Sequence, residues 1–135
     1  MPEASYFILY VADQERSTAF YSSVLAVRPR QHVPGMTEFD LPGGAILGLM
    51  PISGVRKLLG SSLPDPMTAQ GAPRAELYLL VEDPRALHAR ALAAGARELS
   101  PLLPRDWGHR AAYSLEPDGH VLAFASAWPL ATDAR

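Results

Sequence analysis

The feature that most restricts what this chain can fold into is an internal repeat. The segments YFILYVADQERSTAFYSSVLAVRP near the start and ELYLLVEDPRALHARALAAGAREL in the middle both read as a short strand, an acidic cap and a helix. Equivalent residues of the two segments align at one constant offset (79 − 9 = 70): Leu9, Val11 and Asp13 on Leu79, Val81 and Asp83. Two halves of one type explain these matches more economically than chance.

A second pair of similar segments closes the two halves. LPGGAILGLMP at 41–51 resembles LEPDGHVLAFAS at 115–126, and aligning Gly44 with Gly119 places Gly48 on Ala123. Within the second of these segments, Pro117-Asp118-Gly119 predicts a hairpin turn, because proline presets the first φ angle and glycine accepts the positive one.

Each half is predicted to be a βαβββ unit. Asp13 and Asp83 are the expected helix caps, Pro84 suits a first helical position and Gly95 a helix end. Hydrophobic alternation and turn residues place the helices at about 13–25 and 83–95 and the strands near 5–11, 27–33, 36–41 and 44–50, then near 76–81, 96–102, 110–116 and 119–126.

The domain prediction is a single domain over residues 1–130. It consists of two modules at about 4–51 and 74–127, joined by a loop at 52–73 that is rich in proline and glycine and is either a lid or a mobile linker. Residues 54–60 are expected to make one helical turn within this loop, and residues 128–135 to form a C-terminal tail.

Composition excludes several classes of protein. With 135 residues and 48% apolar residues the chain can bury a real core, and the absence of cysteine excludes disulfide scaffolds and thiol nucleophiles. A net charge of −2, with arginines scattered singly, argues against nucleic-acid binding. No apolar stretch approaches the roughly 18 residues of a membrane span, and the first residues do not resemble a signal peptide, so a cytoplasmic protein is expected.

The paired βαβββ pattern carries further motifs: V-x-D before a helix that contains Ala19-Phe20-Tyr21, Trp107-Gly108, and Glu116-Pro117-Asp118-Gly119-His120. Together they resemble the vicinal oxygen chelate superfamily of glyoxalases, bleomycin-resistance proteins and extradiol dioxygenases, over residues 5 to 127. The resemblance implies an α+β fold in which two βαβββ modules form an open eight-stranded, cup-shaped mixed sheet. It further implies helices on the convex side, a ligand site in the concavity, and a homodimer.

The two-residue period of a strand sorts side chains between core and cup. Phe7, Leu9 and Val11 should pack under the first helix, and a three-residue turn at 117–119 would place Tyr113 opposite Ala123 with His109 on the same side. The predicted ligand-binding residues are Tyr6, Ile8, Tyr10, Gly48, Met50, Glu76, Tyr78, Trp107, His109, Tyr113 and Ala123. Four tyrosines on one predicted concave surface favour a flat or aromatic ligand, with simple sheet-face packing as the alternative; Trp107 can equally be a purely structural part of its loop.

In the resembled superfamily, metal ligands open the first strand and lie in the last strand of each half. The matching positions here hold Tyr6, Gly48, Glu76 and Ala123, which include one good ligand for a hard cation, whereas catalytic metals need about three. No metal and no cofactor are therefore expected. Glu76 and His109 are the candidate catalytic residues, though Glu76 can instead form an edge salt bridge and His109 be a solvated loop residue.

The remaining histidines have structural interpretations. His88 is expected at the surface of its helix, and His120, where the family commonly has asparagine, is expected to stabilise the turn. Two functions are consistent with the pattern. The first is a metal-free binding protein for a small, partly aromatic molecule, which makes no contact with nucleic acid or membrane. The alternative is a metal-dependent lyase, isomerase or dioxygenase of the same superfamily, similar to lactoylglutathione lyase.

Overall fold

The computed structural model describes residues 3–69 and 71–128. The chain divides into two compact units, residues 1–70 and 71–135. The predicted C-terminal tail lies outside the described residues except for Trp128. Among the described residues, no helix is both long enough and apolar enough to cross a lipid bilayer.

The first unit is a four-stranded mixed sheet with a helix packed on it. Strand β1 (Tyr6–Val11) pairs in parallel with β4 (Ile46–Pro51), and β3 (Met36–Asp40) lies antiparallel between β4 and β2 (Gln31–Val33), giving the order β1-β4-β3-β2. Helix α1 (Gln14–Leu25) connects β1 to β2, and α2 (Ile52–Leu59) follows β4. This is the predicted βαβββ order.

Local chemistry explains where α1 begins and what it buries. The Asp13 side chain accepts a hydrogen bond from the backbone N–H of Arg16 at 3.1 Å, which satisfies one of the free donors of the first turn. Phe20, Tyr21 and Val24 lie on the buried side of the helix, and the Tyr21 ring is 6.5 Å from that of Phe39 in β3. The predicted cap and buried stripe are both confirmed.

One core prediction is wrong. Val11 is fully buried, but Phe7, which was expected on the same packed face, is 59% exposed. Helix α1 packs mainly on β3 and β4, whereas Phe7 lies near the start of the edge strand β1. The alternation of the strand was read correctly, but the helix does not extend over its first residues.

The second unit repeats the arrangement. Strand β5 (Glu76–Leu80) pairs in parallel with β8 (Val121–Ala127), and β7 (His109–Leu115) lies antiparallel between β8 and β6 (Arg97–Pro104), giving the order β5-β8-β7-β6. Helix α3 (Pro84–Ala93) packs on β6, β7 and β8, and the Asp83 side chain caps it by accepting from Ala86 N–H at 3.1 Å. The α+β class and both predicted modules are thus observed.

His88 was predicted to lie at the surface of its helix, and this prediction is wrong. The residue is 7% exposed, and its Nε2 is 2.8 Å from a carboxylate oxygen of Glu98 in β6. Its side chain lies on the inner face of α3, so the helical position that looked polar and exposed in the sequence is part of the packed interface with the sheet.

Strand and loop boundaries also differ from the predictions. Strand β2 is shorter than 27–33, because Ala26 takes a left-handed conformation (φ 57°) that ends α1 and leads the chain into an irregular turn. Strand β4 begins at Ile46 and not at residue 44, since Gly44 has φ 92° and is not extended. In the connection, α2 has 8 residues instead of a single turn, and short 3-10 segments follow at Gly60–Ser62 and Pro66–Ala69. The shared cup and the module boundaries stay predictions.

Candidate functional site

The candidate site of the second unit lies on one face of its sheet. Tyr78 of β5 and Tyr113 of β7 are both in register with Ala123 of β8, the strand between them. The Pro117-Asp118-Gly119 turn therefore has the predicted three-residue length, and the predicted pairing of Tyr113 with Ala123 is confirmed. Ala123 is fully buried and the two tyrosines are half-buried, so the tyrosine side chains lie on either side of a small, buried residue.

Tyr78 is joined by hydrogen bonds to two other predicted site residues. Its hydroxyl is 2.6 Å from His109 Nδ1, and the Trp107 indole N–H donates to the same hydroxyl at 2.9 Å. Tyr78 is on β5 and His109 on β7, so their hydrogen bond spans the face of β8. The rings of Tyr78 and His109 are 5.7 Å apart with a tilt of 31°. The structure thus brings three predicted residues from two strands and one turn into direct contact.

The hydrogen bonding of the Tyr78 hydroxyl has two possible forms. A tyrosine hydroxyl has one proton and two lone pairs, and an indole N–H can only donate. When His109 carries its proton on Nε2, the Tyr78 proton is donated to Nδ1 and the oxygen keeps one lone pair for a ligand. When His109 carries its proton on Nδ1, the Tyr78 oxygen accepts from both neighbours and the Tyr78 proton is free for a ligand.

Arg105 supports the other side of the site. The Arg105 guanidinium lies over the Tyr113 ring at 5.0 Å from its centre, and it donates to the Ser100 hydroxyl at 2.6 Å and to the Ala111 carbonyl at 2.7 Å. Burial raises the pKa of Tyr113, the negative charge of Glu76 and the neighbouring Tyr78 raise it further, and the Arg105 charge partly opposes them. Tyr113 is therefore a neutral phenol at neutral pH.

Glu76 opens β5 on the same face as Tyr78, two residues earlier in the strand. It is exposed, and the ion pairs found among residues 3–69 and 71–128 do not involve it. The edge salt bridge that the sequence left open is thus not seen in the described part of the chain, and the carboxylate is available to a ligand or to water.

The predicted residues of the first unit form a separate group on its own sheet. Ile8 and Tyr10 of β1 are in register with Gly48 and Met50 of β4, and Tyr6 precedes Ile8 on the same face. At Gly48 an added Cβ would lie 3.0 Å from Ile8 Cγ1, so the glycine lets the isoleucine side chain lie close to β4. Tyr6, Ile8 and Tyr10 are between 36% and 46% exposed, which leaves an apolar surface open.

This group also contains a buried carboxylate, Glu38, that was not among the predicted site residues. Glu38 of β3 is in register with Gly48, is only 8% exposed, and accepts a hydrogen bond from the Tyr6 hydroxyl at 3.4 Å. Arg30 lies 3.5 Å from the same carboxylate and 3.4 Å from that of Asp40. The signal was available, since Glu38 falls at an inward position of a predicted strand and a buried carboxylate requires such partners.

His120 stabilises the turn, as predicted. Its Nδ1 is 3.0 Å from the buried carboxylate of Glu116, which also accepts the backbone N–H groups of Asp118 and His120. Burial alone lowers the pKa of His120, but the hydrogen bond and the negative charge of Glu116, with a contribution from Asp118, raise it above its ordinary value. His120 therefore belongs to the turn and not to the ligand face.

The side chains do not fit a chelated metal ion. At the positions that correspond to the resembled metal ligands, Gly48 and Ala123 have no side-chain ligand atom, and Tyr6 is hydrogen-bonded to Glu38. Over the described ranges 3–69 and 71–128, no group of three or more histidine or acidic side chains is close enough to hold an ion.

Comparison with known proteins agrees with this architecture. The family model described as Glyoxalase/Bleomycin resistance protein/Dioxygenase superfamily matches residues 4–124. A glyoxalase-related enzyme from Fulvimarina pelagi is similar in structure, with a TM-score of 0.77, 22% identity, and coverage of 98% of this chain and 95% of that one.

Two further solved structures are similar. A glyoxalase/bleomycin resistance protein/dioxygenase from Nocardioides gives a TM-score of 0.75 and 21% identity over 96% of this chain and 86% of that one. An Agrobacterium tumefaciens protein solved by NMR gives 0.70 and 27% identity over 94% and 98%. A search of curated protein sequences gave no match.

Proposed function

Because the chain belongs to the Glyoxalase/Bleomycin resistance protein/Dioxygenase superfamily, whose model covers residues 4–124, we propose that it binds a small, partly aromatic molecule without a metal ion. The ligand lies on the sheet face that carries Tyr78, Tyr113 and Ala123. The observation that carries the proposal is the hydrogen bonding of Trp107 and His109 to the Tyr78 hydroxyl, at 2.9 and 2.6 Å.

The composition of this face and the fixed position of Tyr78 both favour the binding of a small molecule. Binding sites for small molecules combine apolar and aromatic walls with a few fixed polar groups. Here Ala123 and the two tyrosine rings provide the apolar surface, and the hydrogen bonds from Trp107 and with His109 fix the polar Tyr78 hydroxyl beside it. A tyrosine held from two sides loses little further side-chain entropy when a ligand binds, which favours affinity.

The proposal is tested by thermal-shift screening of the purified protein against aromatic metabolites and antibiotics. A ligand at about 100 times its dissociation constant adds roughly 2.7 kcal/mol to the free energy of unfolding, so a stabiliser is readily detected. Tyr78→Phe and Trp107→Phe should reduce the shift, because each removes one member of the hydrogen-bonded group. Trp128→Phe is the matched control, since Trp128 is also exposed but contacts Arg110 instead.

Two results would contradict the proposal. One is a library in which no aromatic compound raises the melting temperature. The other is a stabiliser whose effect is the same in the wild type, Tyr78→Phe and Trp107→Phe. A rise of several degrees on addition of Zn²⁺, Ni²⁺, Mn²⁺ or Fe²⁺ would instead favour a metal-dependent lyase, isomerase or dioxygenase. A homodimer, to be measured by sedimentation, and a cytoplasmic location are part of the same proposal.

A further inference from the structure

Arg105 carries a positive charge that is held in place only by uncharged groups. Its Nε and Nη2 groups donate to the Ser100 hydroxyl and to the Pro101 and Ala111 carbonyls. The ion pairs found in the described part of the chain do not include Arg105. Hydrogen bonds to neutral acceptors fix the guanidinium without cancelling its charge, so a cation stays in place over the Tyr113 ring.

Part of this guanidinium is open to a ligand. Among the residues that the structure describes, neither Arg105 Nη1 nor the Tyr113 hydroxyl has a hydrogen-bond partner. The buried side-chain nitrogen and oxygen atoms that lack a partner in the same residues are His88 Nδ1 and Ser114 Oγ. Because Arg105 Nη1 and the Tyr113 oxygen are not among these buried atoms, both groups reach solvent.

The two open groups are both hydrogen-bond donors. The Nη1 group of an arginine has two N–H donors and no acceptor, and a guanidinium keeps its charge in proteins. Tyr113 keeps its proton at neutral pH, because burial and the charge of Glu76 raise its pKa. This pattern of donors does not depend on which nitrogen of His109 carries the proton. A carboxylate, which is negatively charged and only accepts hydrogen bonds, matches it.

We propose that the ligand of this face carries a carboxylate next to its aromatic part, and that Arg105 Nη1 and the Tyr113 hydroxyl bind this carboxylate. The inference rests on the proposed function and specifies the chemical class of its ligand. The aromatic part lies against Ala123 and Tyr78, on the two strands that follow β7 across the sheet.

Glu76 limits the negative charge that the site accepts. Glu76 is exposed and begins β5, which is separated from β7 by β8, so water and salt screen its charge. Arg105 is half-buried and lies directly over the Tyr113 ring, so its attraction is screened less. With one fixed positive charge and Glu76 nearby, a group with a single negative charge is favoured over a doubly charged phosphate ester.

The test uses three probes that share a phenyl ring and differ in charge: phenylacetate, phenylacetamide and benzylammonium. Each is titrated at neutral pH into the full-length, ¹⁵N-labelled protein, and the Trp107 indole and Ala123 amide resonances report binding. We expect phenylacetate to bind most tightly and benzylammonium most weakly. Added salt should weaken the binding of phenylacetate and leave that of phenylacetamide unchanged, because only a charged probe is screened.

Variants of the two donors locate the carboxylate. Arg105→Gln should weaken phenylacetate binding about tenfold and leave phenylacetamide unchanged. Arg110→Gln is the matched control, because Arg110 lies on the opposite face of β7, where it donates to Ser126. Tyr113→Phe, which keeps the ring under the guanidinium, should weaken phenylacetate about fivefold. This variant and the comparison of the two neutral and anionic probes test the proposal even if Arg105→Gln does not fold.

A variant of Glu76 has the opposite sign. Glu76→Gln should strengthen phenylacetate binding about twofold, because it removes a negative charge near the proposed carboxylate, and should leave phenylacetamide unchanged. Glu82→Gln is the matched control, since Glu82 is an exposed acid that follows β5. Weaker binding of phenylacetate to Glu76→Gln would contradict the proposed charge of the ligand.

The outcomes distinguish the two proposals. The carboxylate assignment is overturned, and the small-molecule site is left standing, by phenylacetate that binds no more tightly than phenylacetamide or not at all, by tighter binding of benzylammonium, or by unaltered phenylacetate binding to a folded Arg105→Gln. If no probe and no compound of the aromatic library perturbs the Trp107 and Ala123 resonances, both proposals are wrong.

Discussion

Replacing His120 by alanine should destabilise the protein more at low pH than at high pH. In the turn after β7, the Glu116 side chain is 1% exposed and its Oε1 lies 3.0 Å from His120 Nδ1. The same oxygen accepts the backbone N–H of Asp118 at 2.7 Å and that of His120 at 3.0 Å. The substitution removes the imidazole donor and leaves the backbone donors in place.

The larger cost at low pH follows from the raised pKa of His120. When folding raises the pKa of a histidine, the associated stability is fully present below the unfolded-state pKa and is lost as the pH rises through the folded-state pKa. A hydrogen bond between charged partners contributes about 1.5–3 kcal/mol, whereas a neutral one contributes about 1 kcal/mol. His120→Ala should therefore cost about 2 kcal/mol at low pH and about 1 kcal/mol less at high pH.

Urea unfolding of the wild type and His120→Ala at about pH 5 and about pH 9, on either side of the ordinary histidine range, measures this difference. Packing lost with the imidazole contributes equally at both pH values, so it cancels. In a Glu116→Gln background the larger cost of His120→Ala at low pH should disappear, because burial, which lowers the pKa of His120, is then no longer opposed by the Glu116 charge. An equal cost at both pH values in the native background, or a larger cost at high pH, would refute the assigned role of the Glu116 charge.

Two further comparisons test the backbone and the core. Gly119→Ala should cost about 1–3 kcal/mol of stability, which is more than Gly43→Ala should cost. Both glycines have positive φ (91° and 84°), but of the two only Gly119 has backbone in the way of a Cβ, that of Gly71 at 3.3 Å. Equal costs by chemical denaturation would contradict this steric effect of the Gly71 backbone. Phe124→Ala should cost about 3–5 kcal/mol of stability, since Phe124 is 1% exposed. Phe7→Ala should cost less than about 1 kcal/mol, because Phe7 is 59% exposed. A large effect of Phe7→Ala in the same assay would mean that the Phe7 side chain is packed.

Much of the fold could be read from local patterns. The aspartates at 13 and 83 cap their helices because a carboxylate satisfies the free N–H groups of a first turn wherever that turn is placed. The turn at 117–119 sets the register of β7 on β8, and through it the pairing of Tyr113 with Ala123. The residue types at the four resembled metal positions are likewise a property of the sequence alone.

The contacts that make the site depended on tertiary structure. Tyr78 and His109 are 31 residues apart and meet across an intervening strand, and Trp107 reaches Tyr78 from a turn. The two-residue period of a strand assigns a face to each side chain, but strand order and side-chain rotamers decide which of the residues on that face touch. Phe7 and His88 illustrate the same distinction. A residue's exposure is determined by the element that packs against it, and only the folded chain specifies how far that element extends.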